Sequence, residues 1–293
     1  MKDIVVLSGK GGTGKTSLTA SLALLAENPV IVDGDVDAAD LHLILDPEID
    51  QQHDFFSGHE ATIREKDCTA CGACVTLCRF NAVKEKKKLF GKNTYAIDPY
   101  SCEGCGVCAR FCPYDAIDLS PRLCGKWMIS KTRAGPMVHA HLGVGGENSG
   151  QLVTLVRQKA KQIAQEKGHN LILLDGPPGI GCPVIASLSG ADLALIVTEP
   201  SLSGAHDLSR LLKLTQHFGI QTALCVNKWD ICPEMTAQIE KEATAQDVLL
   251  LGRMRYDEAV TQAQVQAKAI IETEAPSAED VHKLWENLKE KIT

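Results

Sequence analysis

Eight of the twelve cysteines fall into two runs with one spacing, and this pattern is the feature of the chain most suited to chemistry. Both runs read Cys-x2-Cys-x2-Cys-x3-Cys, and Pro113 follows the second. Their members are Cys68, Cys71, Cys74 and Cys78 in the first run and Cys102, Cys105, Cys108 and Cys112 in the second. Iron–sulfur clusters need soft thiolate ligands, whereas structural zinc usually takes paired Cys-x2-Cys units. The spacing therefore predicts two [4Fe–4S] clusters.

A glycine-rich segment near the amino terminus is the second chemical feature. It reads Gly-x4-Gly-Lys-Thr, follows an apolar strand pattern and precedes a helical pattern, which is the context of a phosphate-binding loop. Glycines let backbone N–H groups converge on phosphate oxygens, Lys15 neutralises the charge of the β- and γ-phosphates, and the Thr16 hydroxyl ligates Mg²⁺. The predicted nucleotide contacts in this segment are Gly9, Gly11, Gly12, Thr13, Gly14, Lys15, Thr16 and Ser17.

The outer parts of the chain supply the elements that must position this loop. Short β-branched runs alternate with helical patterns, which is typical of a parallel sheet flanked by helices. Strands are predicted at 4–7, 30–33, 171–175, 193–198, 222–227 and 248–251, with one or two more within 127–142. Helices are predicted at 15–26, 150–167, 183–189, 203–217, 233–245, 256–267 and 279–293. The predicted fold is an α/β P-loop NTPase.

An internal repeat interrupts the α/β pattern. Residues 67–83 and 101–117 align at an offset of 34 and keep all four cysteines. The cysteine run is similar to that of bacterial two-cluster ferredoxins, in which the fourth cysteine of each run ligates the other cluster. The predicted domains are an ATPase domain at 1–58 and 123–293 and an inserted, small α+β ferredoxin-like domain at 59–122.

Composition limits the classes of function. The net charge of −7 argues against broad nucleic-acid binding, and no apolar run approaches the roughly 18 residues of an integral membrane segment. The start of the chain has no signal-peptide pattern, so we expect a cytoplasmic protein whose cysteines bind metal rather than form disulfides. The lysine-rich run 84–88, with Lys92, is typical of a solvated turn or of a docking patch for an acidic redox partner.

Lys10 is an additional lysine at the second position of the loop. The segment Lys-Gly-Gly-x-Gly-Lys-Thr resembles the deviant loop of the MinD/ParA/Mrp ATPases and the nitrogenase iron protein, and the resemblance covers about 1–50 and 126–293. In that family this lysine reaches the partner's phosphates across a homodimer. The resemblance implies that Lys10 acts in trans, and that Asp35, in Val-Asp-Gly-Asp, orients the attacking water. Lys10, Lys15 and Asp35 are the predicted catalytic residues.

The same resemblance implies two further contacts. Asp175 ends an apolar strand where an acid that binds a Mg²⁺-bound water belongs, and Asn227 closes another strand where the base binds. Asn227 also begins Asn-Lys-Trp-Asp, which matches the guanine-reading motif of GTPases, so GTP remains an alternative to ATP. Asp33 and Asp37 are either additional site residues or capping or loop carboxylates.

Three other features each have a structural interpretation and a functional one. Cys182 matches a cluster-bridging cysteine of the nitrogenase iron protein, although packing at a helix start is the default; Cys124, Cys225 and Cys232 are predicted core residues. The stretch 134–150 is interpreted as a loop near the nucleotide or the clusters, and its two histidines are a weak metal signal. The apolar stripe of the last helix predicts packing on the sheet rather than a membrane anchor.

Both modules together resemble MinD-superfamily ATPases with an inserted ferredoxin domain. The resemblance implies an ATP-hydrolysing homodimer, with Mg²⁺ and two [4Fe–4S] clusters, that gates electron transfer or cluster delivery to a partner protein. The alternative is a MinD/ParA-like positioning or regulatory switch with structural or redox-sensing clusters.

Overall fold

The computed structural model describes residues 1–87, 93–143, 146 and 148–292, with only the backbone at 292. The chain forms two compact units. The first consists of Met1–His53, Lys126–Leu142 and Asn148–Thr293, and the second of Asp54–Gly125 and Gly143–Glu147. The second unit therefore includes residues on both sides of the segment 59–122.

The described residues form eleven strands, nine of which make one sheet. In chain order the strands are β1 (Lys2–Ser8), β2 (Pro29–Asp33), β3 (Glu48–Ile63), β4 (Val83–Lys86), β5 (Thr94–Ile97), β6 (Ile117–Thr132), β7 (Gly135–Leu142), β8 (Leu171–Pro178), β9 (Leu193–Thr198), β10 (Gln221–Asn227) and β11 (Leu249–Met254). The sheet order is β11-β10-β9-β1-β8-β2-β7-β6-β3, and β4 pairs with β5 as an antiparallel hairpin. The pairs from β11 through to β7 are parallel, which confirms the predicted mostly parallel sheet.

Helices connect the parallel strands. They are α1 (Lys15–Leu25), α2 (Leu41–Leu45), α3 (Ala73–Leu77), α4 (Val107–Arg110), α5 (Ser149–Lys167), α6 (Cys182–Leu188), α7 (Leu202–His217), α8 (Pro233–Thr244), α9 (Ala259–Val265) and α10 (Pro276–Ile292). Short 3₁₀ turns lie at Trp229–Ile231 and Ile270–Glu272. The Ser201 hydroxyl accepts the Gly204 N–H at the start of α7, and the left-handed Gly168 ends α5.

The core of the first unit lies between the sheet and its helices. Central strands such as β1 and β9 are buried on both faces, so they read as continuous apolar runs. Helix α10 adds Val281, Leu284, Trp285 and Leu288, all of them buried in the same core cluster as β1. This burial confirms packing on the core.

Within the described ranges, no helix combines the length and apolar character that a membrane crossing requires.

Two expectations need correction. Residues 135–142 form β7 and pair with β2 at Ile31–Met137 and Val32–Val138, which confirms the strands predicted within 127–142 and shows that the interpretation of 134–150 as a loop was wrong for its first half. Residues 144, 145 and 147 of that stretch lie outside the described residues. The predicted helix 256–267 is limited to α9, because the segment that precedes it is a loop.

Candidate functional site

A cavity of about 850 Å³ lies in the first unit, where the phosphate-binding loop meets the carboxyl ends of the parallel strands. This volume is typical of small-molecule sites, and this edge of an open α/β sheet is where ligands bind. Its lining includes the loop residues 11–17, Asp35, Asn227 and Gln264. The chain thus brings residues from four separate stretches of sequence to one cavity.

The glycines of the loop are required by its geometry. Gly14 has φ +88°, a left-handed conformation that favours glycine, and a Cβ atom there would lie 2.3 Å from Nδ2 of Asn227. Helix α1 begins at the next residue, Lys15. The amino end of that helix, with its unpaired N–H groups and positive dipole end, is therefore at the cavity and suits an anionic group.

Asp175 is the acceptor for the polar groups that begin α1. Its Oδ1 lies 2.9 Å from Nζ of Lys15 and accepts a hydrogen bond of 2.9 Å from the Thr19 hydroxyl, and its Oδ2 accepts one of 2.7 Å from the Thr16 hydroxyl. The Asp175 side chain is almost fully buried. Lysine, threonine hydroxyl and carboxylate are thus held together beside the cavity, which is the donor set of an Mg²⁺–phosphate site.

The segment after β2 is held by Asp33. This residue is fully buried, and its carboxylate accepts backbone hydrogen bonds from Asp35 (3.1 Å) and Leu41 (3.2 Å). The structure therefore confirms Asp33 as a loop carboxylate. Burial raises the pKa of Asp33 well above its ordinary value, and the charge of Asp175 raises it further.

Asp35 lies in the lining of the cavity. Burial raises the pKa of its carboxyl to about 6, although the positive charge of Lys15 opposes that rise. A carboxylate that gains its charge near neutral pH is suited to proton and water positioning. Asp37, two residues further on, is exposed.

Lys10 contacts a second group of residues that the sequence did not indicate. Its Nζ lies 2.6 Å from Oε1 of Glu199 and donates to the Ser203 hydroxyl at 3.0 Å. Oε2 of Glu199 also pairs with Nζ of Lys228 at 3.4 Å. Burial acts to raise the pKa of Glu199, but its bonds and charge contacts with Lys10 and Lys228 outweigh it, so the pKa is lowered. Glu199 and Ser203 lie about 190 positions from Lys10, so spacing alone carries no signal of them.

The Asn-Lys-x-Asp tetrapeptide is tied to two loops of the site. Nδ2 of Asn227 donates to the Thr13 carbonyl at 2.8 Å, and Nζ of Lys228 donates to the Gly12 carbonyl at 3.1 Å. Oδ1 of Asp230 accepts the backbone N–H of Tyr256 at 2.7 Å. Asp230 occupies the position of the aspartate that binds guanine in GTPases. One of its two carboxylate oxygens therefore already accepts a hydrogen bond from this chain.

The segment that follows β11 was not predicted as part of the site. Arg255, Tyr256, Asp257 and Gln264 line the cavity, and Nε2 of Gln264 donates to the Ser17 hydroxyl at 2.6 Å. An available signal was the position of this segment, because the carboxyl ends of parallel strands meet at the same edge of the sheet. The prediction of a helix starting at 256 obscured that signal.

The eight cysteines of the two runs line two further cavities, both within the second unit. Each cavity takes three cysteines from one run and one from the other. The first cavity has Cys68, Cys71, Cys74 and Cys112, and the second has Cys78, Cys102, Cys105 and Cys108. This grouping is the exchange of fourth cysteines that the ferredoxin-like spacing implies.

The backbone of the second unit repeats as the sequence does. Positive φ values recur at the matched pairs Ala70 and Gly104 (59° and 62°), Gly72 and Gly106 (80° and 73°), and Asn81 and Asp115 (54° and 46°). Gly104 also has to be glycine for a steric reason, because a Cβ atom there would lie 2.0 Å from the His59 carbonyl oxygen. Both runs thus fold into the same local turn, and α3 and α4 occupy matched positions.

The thiols of these cavities differ in their surroundings. Burial acts to raise the pKa of Cys68, but hydrogen bonds from the Thr94 hydroxyl and from the N–H groups of Ala70 and Tyr95 outweigh it, so the pKa is lowered. Burial raises the pKa of Cys74 and of Cys108. Among the described residues, no three cysteine, histidine or acidic side chains converge as they would around a single metal ion.

The other cysteines have separate environments. Cys225 is fully buried in the main core, and the Cys124 thiol donates to the Ser57 carbonyl at 3.2 Å, so both are core residues as predicted. Cys232 is half-buried. Cys182, the first residue of α6, is exposed, and the default expectation that it packs at a helix start was wrong.

The two histidines do alternate along β7. His139 is buried, its Nε2 lies 2.8 Å from the Ser130 hydroxyl, and burial lowers its pKa to about 4; His141 is exposed. In the lysine-rich run, Lys86 pairs with Glu65, and Lys88 and Lys92 lie outside the described residues.

Comparisons with known proteins agree with this geometry. The chain is 35% identical over 228 residues to the uncharacterized protein MJ0578 of Methanocaldococcus jannaschii, covering 77% of each. Its fold is similar to the septum site-determining protein MinD of Pyrococcus horikoshii, solved with Mg-ADP, at a TM-score of 0.60 and 17% identity over 99% of this chain and 96% of that one. It is also similar to the cell division ATPase MinD of Pyrococcus furiosus, with a TM-score of 0.58, 18% identity and 99% of both chains covered.

A family profile gives the more specific assignment. The CobQ/CobB/MinD/ParA nucleotide-binding domain matches residues 4–270, a span that includes the phosphate-binding loop, Asp35, Asp175 and Asn227. The MinD/ParA-type P-loop fold expected from Lys10 and its neighbours is thereby confirmed. The chain belongs to the CobQ/CobB/MinD/ParA nucleotide-binding family.

Proposed function

We propose that this protein is a Mg²⁺-dependent ATPase whose nucleotide state controls electron transfer, or iron–sulfur or other metal-cofactor delivery, through two [4Fe–4S] clusters. One observation carries the proposal: a single chain contains both a phosphate-binding loop, with Lys15 and Thr16 held on Asp175, and two cavities with four cysteines each. Thr16, with Asp175 through water, would hold Mg²⁺, and Asp35 would orient the attacking water.

The cysteines of each cavity fit a [4Fe–4S] cluster better than a single ion. Such a cluster takes four thiolates, one for each iron, so the sulfurs surround a group of atoms and need not converge on one point. Cys68, Cys71, Cys74 and Cys112 would hold one cluster, and Cys78, Cys102, Cys105 and Cys108 the other. When bound, each cluster supplies one-electron redox chemistry.

Lys10 is the residue from which we infer that the protein acts as a homodimer. In a homodimer it would leave Glu199 and reach the partner's phosphates, so hydrolysis would depend on dimerisation or on a partner protein. ATP is the nucleotide of the proposal, because the loop with Lys10 resembles that of the MinD/ParA ATPases; in addition, one oxygen of Asp230 is engaged with Tyr256. A cytoplasmic location and an unidentified redox or cofactor-accepting partner complete the proposal.

A second candidate is a MinD/ParA-like positioning or regulatory switch in which the clusters are structural or sense redox state. The similarity in fold to septum site-determining MinD favours it. The two candidates differ in one respect: only the first requires the redox behaviour of the clusters to depend on the bound nucleotide.

The decisive experiment uses the full chain purified without oxygen, loaded with iron and sulfide to about eight irons per chain. Reduction midpoints are then measured with Mg²⁺-ADP and with Mg²⁺ plus a non-hydrolysable ATP analogue. A shift between the two states supports the first candidate, and identical midpoints favour the second. Lys15→Ala, which should not bind nucleotide, is the control in which no shift is expected.

A further inference from the structure

Matched backbone hydrogen bonds join the two halves of the second unit, each of which contains one cysteine run. The Arg64 N–H donates to the Ala116 carbonyl at 2.8 Å. At the equivalent place, 34 positions away in the repeat, the Asp98 N–H donates to the Ala82 carbonyl at 2.8 Å. Each bond connects the segment before one cysteine run to the turn after the other run. The backbone is therefore arranged alike in the two halves.

The side chains at these matched positions differ. Nε of Arg64 donates to Oδ2 of Asp67 at 2.7 Å. Its two terminal nitrogens donate to the Asp118 carboxylate and to the Asp115 carbonyl. The carboxylate of Asp98 instead accepts hydrogen bonds from the residues two and three positions after it, within its own turn. The guanidinium thus bridges the two halves, whereas the carboxylate bonds within one of them.

The bridge formed by Arg64 joins the two segments that supply the cysteines of the first cavity. On one side, the Cys68 N–H donates to the Arg64 carbonyl at 3.1 Å. On the other side, the Cys112 sulfur accepts the Ala116 N–H at 3.4 Å, and the Cys112 carbonyl accepts the Asp115 N–H at 3.2 Å. Cys112 is the one cysteine of this cavity that comes from the second run. Its position relative to Cys68 therefore depends on contacts between the halves, and Arg64 supplies several of them.

The chemistry of this bridge favours arginine. A guanidinium is a rigid fork that donates to a carbonyl and to carboxylates at the same time, whereas an ammonium group is a point charge on a flexible chain. The Arg64 side chain is 32% exposed, so its ion pairs contribute little to stability when taken singly. Contacts outside the ligand shell nevertheless orient the ligands of metal sites. We therefore expect the bridge to affect ligand position more than overall stability.

We propose that Arg64 is a positioning residue for the first cavity. Its guanidinium holds the turn after Cys112 against the segment before Cys68, and so keeps the four sulfurs of that cavity arranged around a cluster. The inference rests on the proposed function, because it concerns a bound cluster. The second cavity has Asp98 at the equivalent position, so the loss of the guanidinium should weaken cluster retention in the first cavity alone.

The test follows each cysteine separately in the full chain, loaded without oxygen to about eight irons per chain. A ferrous-iron chelator is added, and thiols that become free are labelled with N-ethylmaleimide and located by mass spectrometry over time. In Arg64→Met, the four cysteines of the first cavity should become labelled about five-fold faster than in wild type. The four cysteines of the second cavity should become labelled at the wild-type rate.

Three further variants complete the comparison. Arg64→Lys keeps the charge without the fork, so its labelling rate at the first cavity should lie between those of wild type and Arg64→Met. Asp118→Asn removes the charge of one acceptor and should accelerate the same cysteines by less. Arg79→Met removes an exposed arginine that follows Cys78, and it should leave both cavities at the wild-type rate. If Arg64→Met binds too little iron to be measured, Arg64→Lys and Asp118→Asn decide by the same comparison.

The outcomes separate this inference from the function on which it rests. Faster labelling at the first cavity alone supports the inference. Equal acceleration at both cavities would show that Arg64 stabilises the second unit in general, and it would overturn the inference, as would an unchanged rate at the first cavity. A wild-type protein that binds no iron would instead remove the proposed clusters, and the inference with them.

Discussion

Asp35 is the residue at which charge and catalysis are most directly linked. Its pKa of about 6 lies above that of an ordinary aspartate, so the residue is largely protonated below that pH and ionised above it. Because the proposed water-positioning role needs the carboxylate, we expect kcat/KM for ATP hydrolysis to rise as the pH increases through about 6. The quantity kcat/KM reports the free protein, to which this pKa belongs.

The variant Asp35→Asn isolates this group. It should reduce the hydrolysis rate by about 10²-fold or more and abolish the rise near pH 6. Asp37→Asn, at an exposed position two residues later, should retain both the rate and the pH profile. A pH profile that is unchanged in Asp35→Asn would assign the ionisation to another group.

The same raised pKa predicts an effect on stability. The folded protein retains a proton on Asp35 between about pH 4 and pH 6, whereas the unfolded chain has already lost it. The contribution of Asp35 to the free energy of unfolding therefore falls as the pH rises through this window. Chemical denaturation at pH 4.5 and at pH 7 should show that raising the pH changes the free energy of unfolding more favourably in Asp35→Asn than in wild type, because the variant lacks the falling contribution.

Lys10 and Glu199 lead to a second prediction at this scale. Their ion pair is partly exposed and is worth about 0.5–1 kcal/mol, which corresponds to about a two- to five-fold change in an equilibrium. Because Lys10 must leave Glu199 to act in trans, Glu199→Gln should lower the ATP concentration for half-maximal dimerisation by about that factor. Analytical ultracentrifugation measures this, with Glu27→Gln as an exposed control; weaker dimerisation in Glu199→Gln would contradict the prediction.

Site residues that lie close together in the sequence, within one recognisable motif, were the ones that the sequence could indicate. The phosphate-binding loop occupies a short window after a strand, so its glycines, Lys15 and Thr16 were recognisable from order alone. Glu199 and Gln264 reach the same region from distant segments with no motif of their own. Their contribution depends on tertiary packing, which one sequence does not encode in any short pattern.

At the scale of elements, a substitution in α10 can test whether the apolar stripe of this helix packs on the core. Leu284 is fully buried in the main core, so Leu284→Ala should lower the free energy of unfolding by about 2–5 kcal/mol. His282→Ala, on the exposed face, should change it little. Urea denaturation measures both variants. A stable Leu284→Ala protein that has lost binding to anionic lipid vesicles would instead favour the anchor interpretation.

Arg133, in the turn between β6 and β7, ties that hairpin to the edge of the nucleotide cavity. Its guanidinium donates to the carbonyls of Ile44 (2.9 Å) and Ala267 (3.0 Å), both of which line the cavity, and pairs with Glu272. Arg133→Ala should cost about 1–2 kcal/mol and lower Tm by about 2–4 °C per kcal/mol. Lys131→Ala, at an exposed residue nearby, should leave Tm unchanged in the same calorimetric scan.

The strands β3 and β6 show why part of the fold was missed. The central strands are continuous apolar runs and were predicted nearly to the residue, as for 193–198. By contrast, β3 is an edge strand whose first seven residues are exposed, so that half of it has no apolar alternation to recognise. β7 was expected, because it lies within 127–142 where one or two strands were predicted, although His139 is buried through a hydrogen bond rather than through an apolar side chain.

At the scale of the whole molecule, the two units have separate apolar cores. The smaller core combines five buried residues with the surrounding cysteines, whereas the larger one has many more buried apolar side chains, most of them aliphatic. Domains with so few apolar residues generally need metal or disulfides for stability. We therefore expect removal of iron by oxidation and chelation to unfold the second unit while the first keeps its nucleotide site.

Limited proteolysis and nucleotide binding together test this expectation. Cluster-free protein should be cleaved within 54–125, whereas its affinity for the nucleotide should remain within about two-fold of the loaded protein. Reloading with iron and sulfide should restore protection. Equal protease resistance with and without iron would show that the second unit does not depend on metal for its fold.

The mixed origin of the cysteines in each cavity has an evolutionary consequence. A chain with one run could supply only three thiols to its own cavity, so it could complete a site only by pairing with a second copy of itself. Duplication and fusion of such a half would place both runs in one polypeptide and make the dimer unnecessary. Thereafter neither half could be lost alone, since each deletion would remove a ligand from both sites.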